Sequence, residues 1–175
     1  MRTILIPADG AGKRFKEIGI PTPKPLITVS KKTLLEYTLE CFHIEETDRL
    51  VIATQRNDNI RKSFESICQN SNKYARVHWV ELDSILPGQL ATALAAINHL
   101  LQDIPDAHSN QLIIHNCDTG FNWSKSFEKI QGVASMPVFD AEGHHWSFGE
   151  EDPLQPMRAI RIAEKERISN LASIG

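Results

Sequence analysis

The sequence predicts an α/β fold in which a mainly parallel sheet lies between two layers of helix. Two observations carry this. Short apolar runs alternate with helix-period stretches over the first 118 of the 175 residues, the pattern of parallel strands joined by crossover helices. The runs are also continuously apolar and β-branched, as strands covered on both faces tend to be.

Each element has its own signal. Thr3-Ile4-Leu5-Ile6 reads as a buried strand that ends at Pro7 and a glycine loop. Leu34, Leu35, Leu39 and Phe42 fall on a helical stripe, with Thr33 as cap and Glu36 at the capping-box position. Leu50-Val51-Ile52-Ala53 predicts a second strand, and Ile60, Phe64 and Ile67 share one face of a helix over Asn59–Cys68. Val77–Val80 predicts a third strand. Leu90, Ala93, Leu94, Ile97 and Leu101 give the clearest helical stripe, and Leu112-Ile113-Ile114 a fourth, buried strand. After Gly132 the pattern changes. Val133–Phe139 and Arg158–Ile162 read as strands separated by a polar stretch in place of a helix.

Composition narrows the function. With 41% hydrophobic and 23% charged residues the chain can bury a core. A formal charge of -3 argues against a general nucleic-acid coat or a membrane-surface protein. There is no apolar run of the roughly 18 residues that a membrane span needs, and the N-terminus lacks signal-peptide character. Three widely spaced cysteines, Cys41, Cys68 and Cys117, make neither a disulfide framework nor a paired zinc motif, which suits a reducing cytoplasm. His144-His145 and His115 lack the spacing of a closed metal site and read as surface or pocket residues, and Trp146 as a packing residue. The expected organisation is one domain over residues 1–175.

The chemistry concentrates after the first strand. Ala8-Asp9-Gly10-Ala11-Gly12-Lys13-Arg14-Phe15 brings glycines that admit close approach, amides that can cradle phosphate oxygens, and two cations. Pro23-Lys24-Pro25-Leu26 then holds a lysine in a stiff backbone. Alone, a glycine pair is a strand-to-helix turn. The spacing is neither that of a P-loop nor that of a dinucleotide fingerprint. Taken together, Gly10, Gly12, Arg14 and Phe15 followed by Pro23, Lys24, Pro25 and Leu26 resemble the signature of the sugar-phosphate nucleotidyltransferases, whose fold is a Rossmann-like α/β/α sandwich.

The resemblance implies that Ala8, Gly10, Ala11, Gly12 and Lys13 wrap a nucleoside triphosphate, while Arg14 and Lys24 stabilise charge during transfer. Asp9 stands where the family usually has a small residue, and a carboxylate there is expected to repel phosphate. Gly88 and Gln89 would face the base, with Thr92 on the first turn of the long helix; alone, the same residues are an ordinary helix start after a Pro-Gly turn. Asp118, at the carboxyl end of a strand, would bind Mg²⁺; its other reading is a turn aspartate before Thr119-Gly120. Glu164 and Lys165 would meet the sugar and its phosphate. The nucleotide-binding half would then run to about residue 118 and the sugar-binding part from 119.

Family members continue past this Glu-Lys stretch and commonly supply a second metal aspartate. None stands between Ser169 and Gly175, so the chain reads as truncated at its C-terminus or as a short member of the family. The expected reaction joins a nucleoside triphosphate to a sugar 1-phosphate or a similar phosphorylated alcohol, for polysaccharide or capsule precursors. No nucleic-acid or membrane partner is expected, and the oligomeric state stays open. Two readings compete: a non-catalytic nucleotide- or sugar-binding remnant, and a glycosyltransferase, for which the Asp-x-Asp motif is missing.

Overall fold

In the computed structural model the first apolar run extends to strand β1 (Arg2–Pro7), and a short helix α1 (Lys13–Glu17) follows the glycine loop. A two-stranded hairpin, β2 (Thr28–Val29) and β3 (Lys32–Thr33), leads into α2 (Leu34–Glu40). Then come β4 (Arg49–Gln55), α3 (Asp58–Asn70), β5 (Val77–Leu82), α4 (Gln89–Asp103) and β6 (Gln111–Ile114). The structure describes residues 1–42, 44–70, 77–121 and 133–174. Residues 122–132, which fall in the part expected to bind the sugar, and Gly175 lie outside the described residues. The chain forms two compact units, Met1–Trp123 and Ser124–Gly175.

In the first unit the sheet has the order β5-β4-β1-β6 and every pairing is parallel. Alternate residues serve opposite layers, as the two-residue period of a strand requires. Ile4, Ile6, Leu50 and Ile52 pack with Leu35, Leu39 and Phe42 around α2 and with Phe64 and Cys68 of α3. Leu5, Val51, Ala53 and Val80 pack with Ala93, Ala96 and Leu100 of α4 and with Ala107. Each large side chain so buried contributes roughly 1.5–3 kcal/mol relative to exposure. Helix α2 begins as expected: the Thr33 hydroxyl accepts from the Glu36 amide, and the Glu36 carboxylate accepts from the Thr33 amide at 2.6 Å.

Three expectations are corrected. The buried face of α4 is Thr92, Ala93, Ala96 and Leu100, whereas Leu90 and Leu94 are exposed, at 80% and 58%. Small residues let this helix lie close to the sheet, so the larger leucines mislead. Among the described residues strand β6 lies at a sheet edge, with Leu112 and Ile114 exposed instead of fully buried. His115 is 1% exposed and belongs to the core: it meets Phe42 edge-on at 4.9 Å and stacks on Phe121 at 5.3 Å.

The second unit holds an antiparallel sheet, ordered β7-β10-β8-β9: β7 (Val138–Asp140), β8 (Ser147–Asp152), β9 (Gln155–Glu164) and β10 (Leu171–Ser173). The strand expected over 133–139 is thus only Val138–Asp140, and Val133 is fully exposed. The polar stretch before Arg158 contains β8, which the sequence hid because Phe148 is its one large apolar residue. Phe148, Ala141 and Ala172 form a small core, and Phe139 meets Trp146 edge-on at 5.2 Å. Among the described residues strand β9 is an edge strand, with nine of its ten residues exposed. Its register against β8 shifts twice around Glu151, where Met157 takes a left-handed φ of 67°.

The two faces of α4 predict different costs. Leu100→Ala is expected to destabilise by about 2–5 kcal/mol, and Leu90→Ala to stay within about 0.5 kcal/mol; urea unfolding followed by circular dichroism separates them.

Candidate functional site

A cavity of about 320 Å³ opens at the carboxyl ends of the parallel strands. Its walls come from four segments that are distant in sequence: Pro7 at the end of β1 with Asp9–Ala11 beyond it, Lys24, Ile85, Leu86, Gly88 and Gln89 before and into α4, and Asn116–Asp118 after β6. This is where a parallel sheet leaves its loops free to gather around a ligand.

Asp9 fixes the first wall. It is 6% exposed, and its Oδ1 accepts from the Thr92 hydroxyl at 2.8 Å. Its Oδ2 accepts from the Leu86 amide at 3.5 Å, and its carbonyl accepts from the Gln55 side chain at 3.1 Å. The carboxylate expected to repel a phosphate is therefore turned toward donors of its own. Thr92, expected near the base, is 1% exposed and spends its hydroxyl on Asp9. Beyond Asp9, Gly12 takes φ 60° and starts α1, with the Phe15 amide donating to its carbonyl at 3.0 Å.

Lys24 sits in a single 3₁₀ turn over Lys24–Leu26, anchored by buried Pro25. Its Nζ lies 2.5 Å from Asp118 Oδ2, and both side chains are about one-third exposed, at 35% and 29%. Asp118 is held from behind. The Thr38 hydroxyl lies 3.5 Å from the Asn116 carbonyl and 3.4 Å from that of Thr119, and the Phe121 amide donates to Cys41 Sγ at 3.1 Å. Cys117 is buried, and burial with the neighbouring Asp118 pushes its thiol up to about 12, so it stays protonated and inert. His115 accompanies it. Burial drives this ring below the ordinary histidine range, against the Asn116 carbonyl and Asp118, which favour the charged form.

Gly88 closes the site. Its φ of 94° with ψ of 167° is open essentially to glycine alone, and it delivers Gln89 to the cavity rim, where the Gln89 side-chain amide donates to Asn116 Oδ1.

Of the residues the sequence singles out, Gly10, Ala11, Lys24, Gly88, Gln89 and Asp118 meet at this cavity. Ala8 and Gly12 line a smaller adjoining one of about 100 Å³, together with Lys16. Lys13 and Arg14 are exposed on α1 and line neither. Glu164 and Lys165 lie in the second unit, paired to each other at 3.0 Å, with Lys165 at φ 57°. Sequence reasoning missed Asn116 and Lys16. Asn116 had a signal, its place at the end of the strand that leads to Asp118, and Lys16 follows Lys13 at helical spacing.

Magnesium ordinarily takes one or two protein carboxylates and fills its other positions with phosphate oxygens and water. Asp118 offers one such carboxylate at the cavity, so the donor set fits that ion.

Comparison with solved structures is decisive for the fold. A nucleoside-diphosphate-sugar pyrophosphorylase from Vibrio cholerae RC9 superposes with a TM-score of 0.79 at 23% identity, over 97% of this chain and 70% of that one. The chain shares that fold. An inositol-1-phosphate CTP transferase from T. maritima gives 0.76 at 17% identity, over 100% of this chain and 69% of that one. A UDP-glucose pyrophosphorylase complexed with UDP-glucose gives 0.71 at 19%, over 100% and 74%. The Rossmann-like α/β/α class expected from sequence is the class observed. No family model matches the chain, and no curated protein sequence does.

Two outcomes follow from the site's supports. Thr92→Val, which keeps shape but removes the donor to buried Asp9, is expected to cost about 1–3 kcal/mol in urea unfolding. Because His115 is held neutral when folded, the unfolded chain binds its proton first as pH falls. Its contribution is full above about pH 6.5 and declines as pH drops through that value toward the lower folded pKa. His115→Phe is expected to flatten the decline of urea midpoints between pH 8 and pH 5.

Proposed function

We propose that the protein is a nucleotidyltransferase that joins a nucleoside triphosphate to a sugar 1-phosphate, or to a similar phosphorylated alcohol, with release of pyrophosphate. The observation that carries this reading is the meeting of Lys24 and Asp118 opposite the Gly10–Ala11 wall of one cavity. A triphosphate needs a cation, a small-residue backbone for close approach, and a carboxylate for its counter-ion, and these three stand together here. The shared fold with pyrophosphorylases and a CTP transferase supports the same reading.

In this reaction an oxygen of the sugar phosphate, already ionised, attacks the α-phosphorus. The new P–O bond forms as the bond to the bridging oxygen breaks, and pyrophosphate departs with that electron pair. No proton transfer is needed, so the burden falls on alignment and charge neutralisation. Lys24 would release Asp118 and follow the phosphate charge. The amides of Gly10–Gly12 would receive the β- and γ-phosphate oxygens, and the exposed Lys13 and Arg14 would raise the local positive potential. Gln89 and Gly88 would border the base. Asp118 would hold Mg²⁺, which would supply charge neutralisation at the phosphate oxygens. Glu164 would meet sugar hydroxyls and Lys165 the sugar phosphate, and the product would feed polysaccharide or capsule precursors.

The test is a coupled pyrophosphate-release assay with the four common nucleoside triphosphates and a panel of sugar 1-phosphates, with and without Mg²⁺. Activity that needs Mg²⁺ and falls about 10²–10³-fold in Lys24→Ala is expected. Stabilisation by a nucleoside diphosphate sugar without pyrophosphate release from any pair would instead identify a binding module. Neither response would end the nucleotide reading.

A further inference from the structure

At the opposite end of the same sheet, a second cluster of ligating groups stands apart from the cavity. His78 is the second residue of β5, and the last turn of α4 passes over it. His99 and Asp103 are four residues apart and so lie on one face of that helix. The Asp103 Oδ2 atom is 3.5 Å from His78 Nε2 and 3.4 Å from His99 Nδ1, and the two rings meet at 5.8 Å. The three ligand atoms lie within 4.8 Å of one another, the one such trio of His, Cys, Asp or Glu among the described residues.

Two features suit this trio to a bound ion. A tetrahedral ion with bonds of about 2.0–2.2 Å holds adjacent ligands about 3.3–3.6 Å apart, and the two separations from Asp103 Oδ2 fall there. His78 Nε2 is also buried with no hydrogen-bond partner among the described residues, a state that buried polar atoms seldom keep.

We propose that His78, His99 and Asp103 form a binding site for a divalent transition ion of the zinc and nickel class, with water completing the coordination. Imidazole nitrogens select such ions over magnesium, which prefers oxygen. Arg49 brings a positive charge near His78, so affinity is expected below that of a four-ligand structural site. The bound ion would tie the end of α4 to the edge strand β5.

The tag-free chain, stripped with a chelator, would be titrated with Zn²⁺ by calorimetry and followed by thermal unfolding. One saturable equivalent per chain is expected, with Tm raised by about 5–10 °C at a hundredfold excess over Kd, and with no equivalent response to Mg²⁺. His99→Ala and Asp103→Asn, at exposed positions, should each weaken binding at least about tenfold, while a His144→Ala, His145→Ala variant binds like the parent. Independently of any variant, Ni²⁺ should broaden the ring resonances of His78 and His99 ahead of those of the other histidines. Absence of saturable binding, unchanged binding in both ligand variants, or broadening elsewhere would overturn the proposal and leave the trio as a structural clasp.

Discussion

The buried hydrogen bond from the Thr92 hydroxyl to Asp9 is the contact on which the rest of the site depends. Asp9 belongs to the loop after the first strand, and Thr92 to a helix that begins some eighty residues later. Through its other carboxylate oxygen and its carbonyl, Asp9 also reaches Leu86 and Gln55. A charged group out of water is costly unless its oxygens are occupied, so these donors must be in place whenever the loop is. The glycines beside Asp9 can then stay bare of side chains without the loop losing its course.

Parallel topology does the remaining work. Strands β1, β4, β5 and β6 run the same way, so the segments that leave their carboxyl ends arrive on one side. Lys24 and Asp118 reach each other from segments far apart along the first unit, and each has a stiff support. Lys24 leans on buried Pro25, and Asp118 on the loop that Thr38 and Cys41 hold in place. The charged tips of both side chains stay partly exposed at the cavity.

Much of this was legible in the sequence, for physical reasons that differ from part to part. Continuous runs such as Leu50–Ala53 exclude a strand with a wet face, and the Thr33–Glu36 pair marks a helix start that tertiary contacts had no reason to move. The stiff Pro23-Lys24-Pro25 and the strand-end Asp118 identified two groups that do meet. The failures have a common origin in packing that no local pattern records. Leu90 and Leu94 looked like core because they are large, yet the helix approaches the sheet through alanines. Asp9 looked like a misplaced charge because its partner, Thr92, lies far along the chain. Strand β8 carried too little apolar signal to be seen before its partners were known.

The irregular edge of the second sheet has a consequence for how the protein behaves in crowded solution. Strand β9 exposes Met157, Ile160 and Ile162 along its length, and Leu154 stands in the turn just before it, a row of apolar groups on an outer strand of the kind that invites another molecule to add itself. The two register shifts and the left-handed turn at Met157 bend that strand, and Arg158 and Arg161 place charge between the apolar side chains. A strand with this shape cannot offer a straight, continuous ladder for a neighbour to copy. An irregular edge of this kind is a poor template for fibrous self-association.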